Sequence, residues 1–441
     1  MTLQITILDH NFSILSEIST QLKEALSFCS KNYNRRTKKW HFDYHSLIDF
    51  NSNSVYSGLV PYIKEKFPLA EVIDQRQFGP VNFQVPKLTV KLRPYQVDYL
   101  ITALRERRCI IHSTMGTGKT VMMASILYSL GLHSLIIAPN NTVLAQLKND
   151  LVTLIPDLKI GNTPDDNVVI ALARNLINWS PEQLRKYELL LVDECHSAAA
   201  KQAHDVILAN NAPYRFGFTG TPTGRSDNRD LVVQGLIGKV IKLIDREELV
   251  EKGYLAETKV EIYRASWDGD YTTLEDLLIV NNPKRNLLIK KIVDNHDADR
   301  ILILVRRIDH GNILQKMIRK SIFIYGKSKE AEREQMRDAI KEGKYRVLIA
   351  SNIFSTGMDI PQLELGVNAR GGKAEILTAQ GAGRVVRPWE STCKTWVDIY
   401  DDYCFVMEEH SKERLRIYQE EGLPVSFVNF PPGKQRMLEK T

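Results

Sequence analysis

Short apolar runs separated by amphipathic stretches dominate the chain from about residue 92 onward. The first series reads "CIIH", "SLIIAP", "VVIAL", "LLLVDE" and "RFGFTGT". Each run is short and closed by small or polar residues, as expected of strands buried on both faces. Stretches with helical spacing of apolar positions lie between them, among them "TVMMASILYSL". This alternation predicts a parallel α/β sheet. A second series begins near Arg300 with "ILILV", "IFIYG", "RVLIAS" and "WVDIYDD". Two α/β units of similar size are therefore expected, joined around "LVEKGYLAETKVEIY". Residues 1–88 differ, with a strand-like "LQITIL" followed by a helix-like "SILSEISTQLKEALSFC". The Pro-bearing "FGPVNFQVPKLTVKLRP" predicts an extended linker, and "HSKERLRIYQEEG" a charged terminal helix. The expected organisation is a small α+β domain at 1–88, an α/β domain at 89–252 and a second at 253–441.

Length and composition narrow the class. A chain of 441 residues is too long for one core. No apolar run reaches the length of a membrane span. The start, "MTLQITILDH", lacks the basic n-region and cleavage site of a secretory leader. Cysteines 29, 109, 195, 393 and 404 are scattered, with no C-x-x-C pair, and predict free thiols in a reducing compartment such as the cytoplasm. Net charge is +6, from 59 basic against 53 acidic residues, a mild excess that permits a nucleic-acid partner without requiring one. The local excess is sharper in "KNYNRRTKKWHFDY", where Lys31, Arg35, Arg36, Lys38 and Lys39 stand beside Tyr33 and Trp40. Such a stretch is either a solvated face or a phosphate-binding patch with a ring for stacking on a base.

The chemistry concentrates in "HSTMGTGKT", His112 to Thr120. A strand that ends in a small-residue loop and restarts as a helix leaves backbone N–H groups free to grip phosphate. Thr114, Met115, Gly116, Thr117 and Gly118 form that loop; Lys119 reaches the outer phosphates and Thr120 offers a hydroxyl to Mg2+. Ser113 stands where the usual pattern has its first glycine. Downstream, "LLLVDECH" puts Asp193 and Glu194 at a strand end, one carboxylate to hold Mg2+ and the other to activate water. Thr219, Gly220 and Thr221 of "FTGTP" close another strand. Ahead of the first strand, "RPYQ" supplies Arg93 and Gln96, whose carboxamide is suited to an adenine edge. In the second unit, "QGAGRVVRP" sets Arg384 and Arg387 on one helical face after Gln380, where an arginine can stabilise charge on a γ-phosphate. "SNIFSTGMDIP" places Thr356, Gly357 and Asp359 at a strand end facing the same cleft, with Gly357 and Asp359 expected to contact the nucleotide.

Taken in order, "RPYQ", "STMGTGKT", "APNNTVLAQ", "VDECH", "FTGTP", "ILILVRRIDHG", "SNIFSTGMDIP" and "QGAGRVVRP" resemble the motifs of superfamily 2 helicases and translocases over residues 90–425. "LRPYQ", "GYLAE", "NPKRN" and "HSKERLRIY" are similar to XPB-like enzymes and to phage branch-migration helicases of the UvsW type. The resemblance implies two RecA-like motor domains and ATP with Mg2+ as cofactors. It implies ATP and Mg2+ roles for Lys119, Thr120, Asp193 and Glu194, and an adenine contact for Gln96. Gln380, Arg384 and Arg387 would complete hydrolysis, and Pro139, Asn140, Gln146, Arg306 and Thr356 would follow a nucleic-acid backbone. Cys195 replaces an alanine and Gly381 an arginine of the better-known patterns. The leading expectation is a monomeric ATP-driven DNA helicase or translocase that remodels forks and Holliday junctions in repair or recombination. It would act in the host cytoplasm if the chain is phage-encoded. An RNA helicase, a duplex translocase subunit of a nuclease or remodelling complex, and an inactive scaffold stand as the alternatives.

Overall fold

The computed structural model describes residues 2–34, 39–113, 116–220, 229–265, 267, 276–325, 339, 342–351, 363–372, 394–420 and 422–429. By internal contact the chain forms two compact units: Met1–Ser113 with Gly118–Ile244, and Asp245–Thr441 with Thr114–Thr117.

The first unit carries a six-stranded sheet in which every pairing is parallel. Its spatial order is Val240–Ile241, Arg108–His112, Tyr214–Thr219, Leu189–Asp193, Ser134–Ala138 and Val168–Leu172. Each apolar run of the first series is one of these strands. The run Leu189–Val192 is wholly buried, as a strand covered on both faces must be. The helix Lys119–Leu130 is apolar almost all round and lies in the core. Gly131 ends it in the left-handed conformation (φ +60°).

The same unit includes a smaller sheet, ordered Ser54–Tyr56, Phe12–Leu15, Gln4–Ile7 and Glu71–Asp74. Here the long helix expected over 13–29 is not formed. Phe12–Leu15 is a strand antiparallel to Gln4–Ile7, Thr20–Ala25 is a short helix capped by Ser19, and Ser27–Asn34 is again a strand. Two apolar residues in sequence, Ile14 and Leu15, fit either period. Pairing with Gln4–Ile7 decides for the strand, because it puts Leu15 inside and leaves Ile14 exposed. The described parts of the basic stretch lie on two antiparallel strands, Ser27–Asn34 paired with Lys39–Ser46.

This N-terminal sheet is fastened to the large one. Arg108 and Arg215 are paired residues on adjacent strands, and both guanidinium groups are buried. Arg108 donates to the carbonyls of Ile237, Leu236 and His10. Arg215 donates to Leu236 and Ala212 carbonyls and to Asn11 Oδ1. The two cations thus cap the carboxyl end of helix Asp230–Leu236, where the dipole favours positive charge, and tie residues 10 and 11 to it. Gly58 meets the carbonyls of Gln234 and Gly235 with no room for a side chain. The stretch from residue 75 to 93 has no regular structure, but Gln84 and Thr89 pin it to the carbonyls of Ser129 and Leu154.

The second unit holds a seven-stranded, wholly parallel sheet ordered Ser321–Ile324, Val347–Ala350, Ile301–Leu304, Leu365–Asn368, Lys394–Asp401, Thr258–Ala265 and Val425–Val428. Three strands, Thr258–Ala265, Leu365–Asn368 and Val425–Val428, add to the four runs legible in the sequence. "NPKRN" begins helix Pro283–Asn295: Asn282 caps it, and Arg285 is buried in a two-bond pair with Asp401. "HSKERLRIY" lies on helix Phe405–Glu420, where Arg414 pairs with buried Asp398. Among the described residues, no helix is long and apolar enough to cross a membrane.

Candidate nucleotide-binding site

The strand Arg108–His112 runs into the phosphate-loop motif, and helix Lys119–Leu130 starts at its end. Gly116 and Gly118 have φ of +85° and +83°, which non-glycine residues rarely adopt. At Gly118 space is lacking too, since a Cβ would sit 2.6 Å from Gln96 Nε2. Ser113 is not left-handed, so that position has no need of the glycine of the usual pattern. Its N–H donates to Thr219 O (3.0 Å), joining the ends of two adjacent strands.

Lys119 Nζ lies 3.0 Å from Glu194 Oε1, both side chains being about five-sixths buried (16% and 17% exposed). Glu194 follows the strand end at Asp193 and is itself left-handed, with φ +46°. That conformation is costly for a residue with a Cβ and is common where a site needs it. Here it turns the carboxylate back toward Lys119, while Asp193 Oδ1 accepts the Glu194 N–H (3.0 Å). Burial and the neighbouring Glu194 charge push Asp193 up to about 6. Burial would also raise Glu194, but Lys119 and His196 outweigh it and hold that carboxyl down to about 2. His196 Nδ1 is 3.4 Å from Glu194 Oε2 and 3.0 Å from Thr219 Oγ1, linking "DECH" to "FTGTP". Cys195 is a packing residue: its sulfur fills the space over Gly217, where a Cβ would lie 2.7 Å away.

Gln96 is buried rather than on the surface. Its Oε1 accepts the Arg93 N–H (2.9 Å) at the start of helix Pro94–Glu106, leaving the carboxamide nitrogen toward Gly118. Thr120 is half-buried in the first turn of its helix. Among the described residues no group of three or more His, Cys, Asp or Glu side chains could hold a metal ion. Mg2+ bound with a nucleotide takes most of its ligands from phosphate and water, so Thr120 and Asp193 are a sufficient protein contribution. The glycine cradle, the lysine and the acidic strand end therefore fit ATP with Mg2+.

Pro139 and Asn140 lie at the carboxyl end of Ser134–Ala138, next to the Asp193 strand. Asn140 Oδ1 accepts the Val143 N–H (3.0 Å) as a helix cap, and Gln146 is exposed on that helix. Arg306 is exposed just beyond Ile301–Leu304 in the second unit. Lys39 and Trp40 begin strand Lys39–Ser46, opposite Asn34 and Tyr33. Thr114, Met115, Arg35, Arg36, Lys38, Thr221, Thr356, Gly357, Asp359, Gln380, Arg384 and Arg387 lie outside the described residues. Reading by sequence missed Tyr99, which is buried behind the loop, and gave no role to His112 and His196. Tyr99 stands three residues after Gln96 on the same helix face, the one signal that could have drawn attention to it.

A family model described as "Type III restriction enzyme, res subunit" matches residues 89–224, and one described as "Helicase conserved C-terminal domain" matches residues 283–388. The chain is 28% identical over 325 residues to "Putative DNA 3'-5' helicase Rad25" of Haloarcula marismortui, covering 68% of this chain and 51% of that protein. It thus spans about half the length of that relative. It is 24% identical over 433 residues to "ATP-dependent DNA helicase uvsW" of Enterobacteria phage T4, covering 90% of this chain and 80% of that one. Among solved structures, the "ATP-dependent Type ISP restriction-modification enzyme LlaBIII bound to DNA" shares the fold. Its TM-score is 0.58 at 14% identity, covering 83% of this chain and 34% of that one. With two parallel-sheet units and a phosphate loop facing an acidic strand end, the chain carries a res-subunit domain followed by a helicase C-terminal domain, the domain pair of the superfamily 2 helicases, a family of nucleic-acid-dependent ATPases.

Proposed function

We propose that this protein is an ATP-driven DNA helicase or translocase that remodels branched DNA, forks and four-way junctions, in repair or recombination. The observation that carries the ATP chemistry is the Lys119–Glu194 pair beside the left-handed Gly118, with Asp193 at the same strand end. Lys119 neutralises Glu194 here and is the group available to incoming phosphates. Once the lysine is drawn to phosphate, Glu194 is released to orient a water and take its proton. Mg2+ would supply charge neutralisation across the phosphates, held by Asp193 and Thr120. Gln380, Arg384 and Arg387 are assigned to completing the reaction, with an arginine stabilising charge on the γ-phosphate.

DNA as the substrate is supported by the names of the relatives, and branched DNA by the basic, aromatic stretch at residues 31–44. A motor that contacts backbone alone would act on any tailed duplex. A second contact carried on the N-terminal domain helps most where two arms diverge, because one can be held while the other is pulled. Pro139, Asn140, Gln146, Arg306 and Thr356 are assigned to the nucleic-acid path, and Arg35, Arg36, Lys38, Lys39 and Trp40 to the second contact. Hydrolysis measured with single-stranded, duplex, forked and four-way DNA and with RNA, alongside strand displacement on the same substrates, tests this. Forks and four-way junctions should be converted faster than a tailed duplex of equal length; equal rates, or preference for RNA, would refute the assignment.

A further inference from the structure

Tyr99 lies on helix Pro94–Glu106, one turn beyond Gln96, and is 2% exposed. Its hydroxyl donates to the carbonyl of His112 (2.9 Å), the last residue of the strand that feeds the phosphate loop. The same oxygen accepts the N–H of Leu243 (3.0 Å). A phenol can donate and accept at once, so one group closes a chain from Leu243 N–H through Tyr99 to His112 O. Donation and acceptance through one hydroxyl polarise each other, which strengthens both bonds in a buried setting.

What surrounds this chain gives it meaning. His112 Nε2 is 3.0 Å from the carbonyl of Gly220, and the next residue, Ser113, donates to Thr219 O. His112 is therefore held from the Tyr99 side and from the "FTGTP" side. Leu243 directly precedes Ile244, where the chain leaves the first compact unit. The side chain of Leu243 is exposed (42%) and does not itself pack, although Ile241 and Ile244 on either side of it are buried. At Leu243 itself the backbone bond to Tyr99 is what fixes the chain.

We propose that Tyr99 is a positioning residue: its hydroxyl couples the start of the phosphate loop to residues 243–244, so that nucleotide at the loop shifts the segment by which the chain leaves the first unit. This rests on the ATP reading above, and the measurements separate the two.

Amide hydrogen exchange on the full chain, with and without ADP·Mg2+, reads both ends of the coupling. In the wild type, peptides covering 113–120 and 240–246 should both change on binding. In Tyr99→Phe, the first response should persist and the second disappear, while Leu243 N–H exchanges faster even without nucleotide. Tyr99→Phe loses both hydrogen bonds of the hydroxyl, which corresponds to about ten- to a hundredfold in rate. DNA-stimulated kcat should fall about that much, with KM for ATP and the DNA-free rate changed less than about twofold. Replacing Tyr99 by 3-fluorotyrosine, which keeps the hydroxyl, should restore the wild-type pattern. No response at 113–120 in the wild type would defeat the nucleotide reading itself. A response there without one at 240–246, which needs no variant to observe, would overturn the coupling. So would a Tyr99→Phe protein that still responds at both places, or one that loses basal and stimulated rates equally.

Discussion

Asn11→Ala probes the junction between the N-terminal sheet and the large sheet of the first unit. Asn11 is 7% exposed and serves two partners: Arg215 Nη2 donates to its Oδ1, and its Nδ2 donates to Leu208 O at 2.7 Å. Burial pushes Arg215 down to about 9, so the guanidinium still carries its charge at neutral pH and cannot escape the loss by deprotonating. Its other bonds, to Ala212 and Leu236 carbonyls, remain. A hydrogen bond to a charged group contributes about 1.5–3 kcal/mol and a neutral one about 0.5–1.5, so the substitution should cost about 2–4 kcal/mol. For a unit of this size each kcal/mol lowers Tm by about 2–4 °C, which predicts a drop of roughly 5–15 °C in the first unit's transition. Urea and thermal unfolding of the full chain measure it. A double-mutant cycle with Arg215→Met should return a coupling of about 1.5–3 kcal/mol. A Tm within about 1 °C of wild type, or a coupling near zero, would refute the reasoning. The same geometry bears on truncation. Removing residues 1–88 strips Arg108 and Arg215 of His10 O and Asn11 Oδ1, so the shortened protein would be destabilised as well as altered in DNA choice. Charge changes in the basic stretch isolate the second effect.

Lys119→Ala should abolish turnover by weakening ATP binding, whereas Glu194→Gln should abolish turnover with ATP still bound; nucleotide binding and single-turnover hydrolysis distinguish them, and a Glu194→Gln rate within a few-fold of wild type would remove its role as base. Gly118→Ala meets both the +83° φ and the Gln96 carboxamide, so it should cost about 1–3 kcal/mol and weaken nucleotide binding, as seen by unfolding and titration. Arg387→Ala should lower kcat by about 10^3 to 10^5 with little change in ATP affinity, and steady-state kinetics decide it. Neutralising Lys31, Arg35, Arg36, Lys38 and Lys39 should reduce the salt slope of DNA binding by about 0.7–0.9 for each phosphate no longer neutralised, while basal hydrolysis persists; an unchanged slope would mark the basic stretch as a solvated face.

The sequence by itself determined the two parallel sheets. A run such as "LLLVD" buries on both faces only as a central parallel strand, and an acid or a glycine loop at its end marks the crevice where ligands sit. The phosphate loop, both carboxylates and the helix after the loop were legible for the same local reason. What the sequence left open was every relation fixed by distant partners. Residues 12–15 fit a helix or a strand until Gln4–Ile7 lies beside them. Gln96 was legible as an adenine contact, but its packing against Gly118 exists only once helix Pro94–Glu106 is in place. The turn that aims Glu194 at Lys119 depends on a left-handed backbone that no residue type announces. Arg108 and Arg215 stand far apart in sequence and become one clamp only because their strands are neighbours. Periodicity records which face of an element is buried; which groups meet there is set by register and sheet order, and those are properties of the tertiary structure.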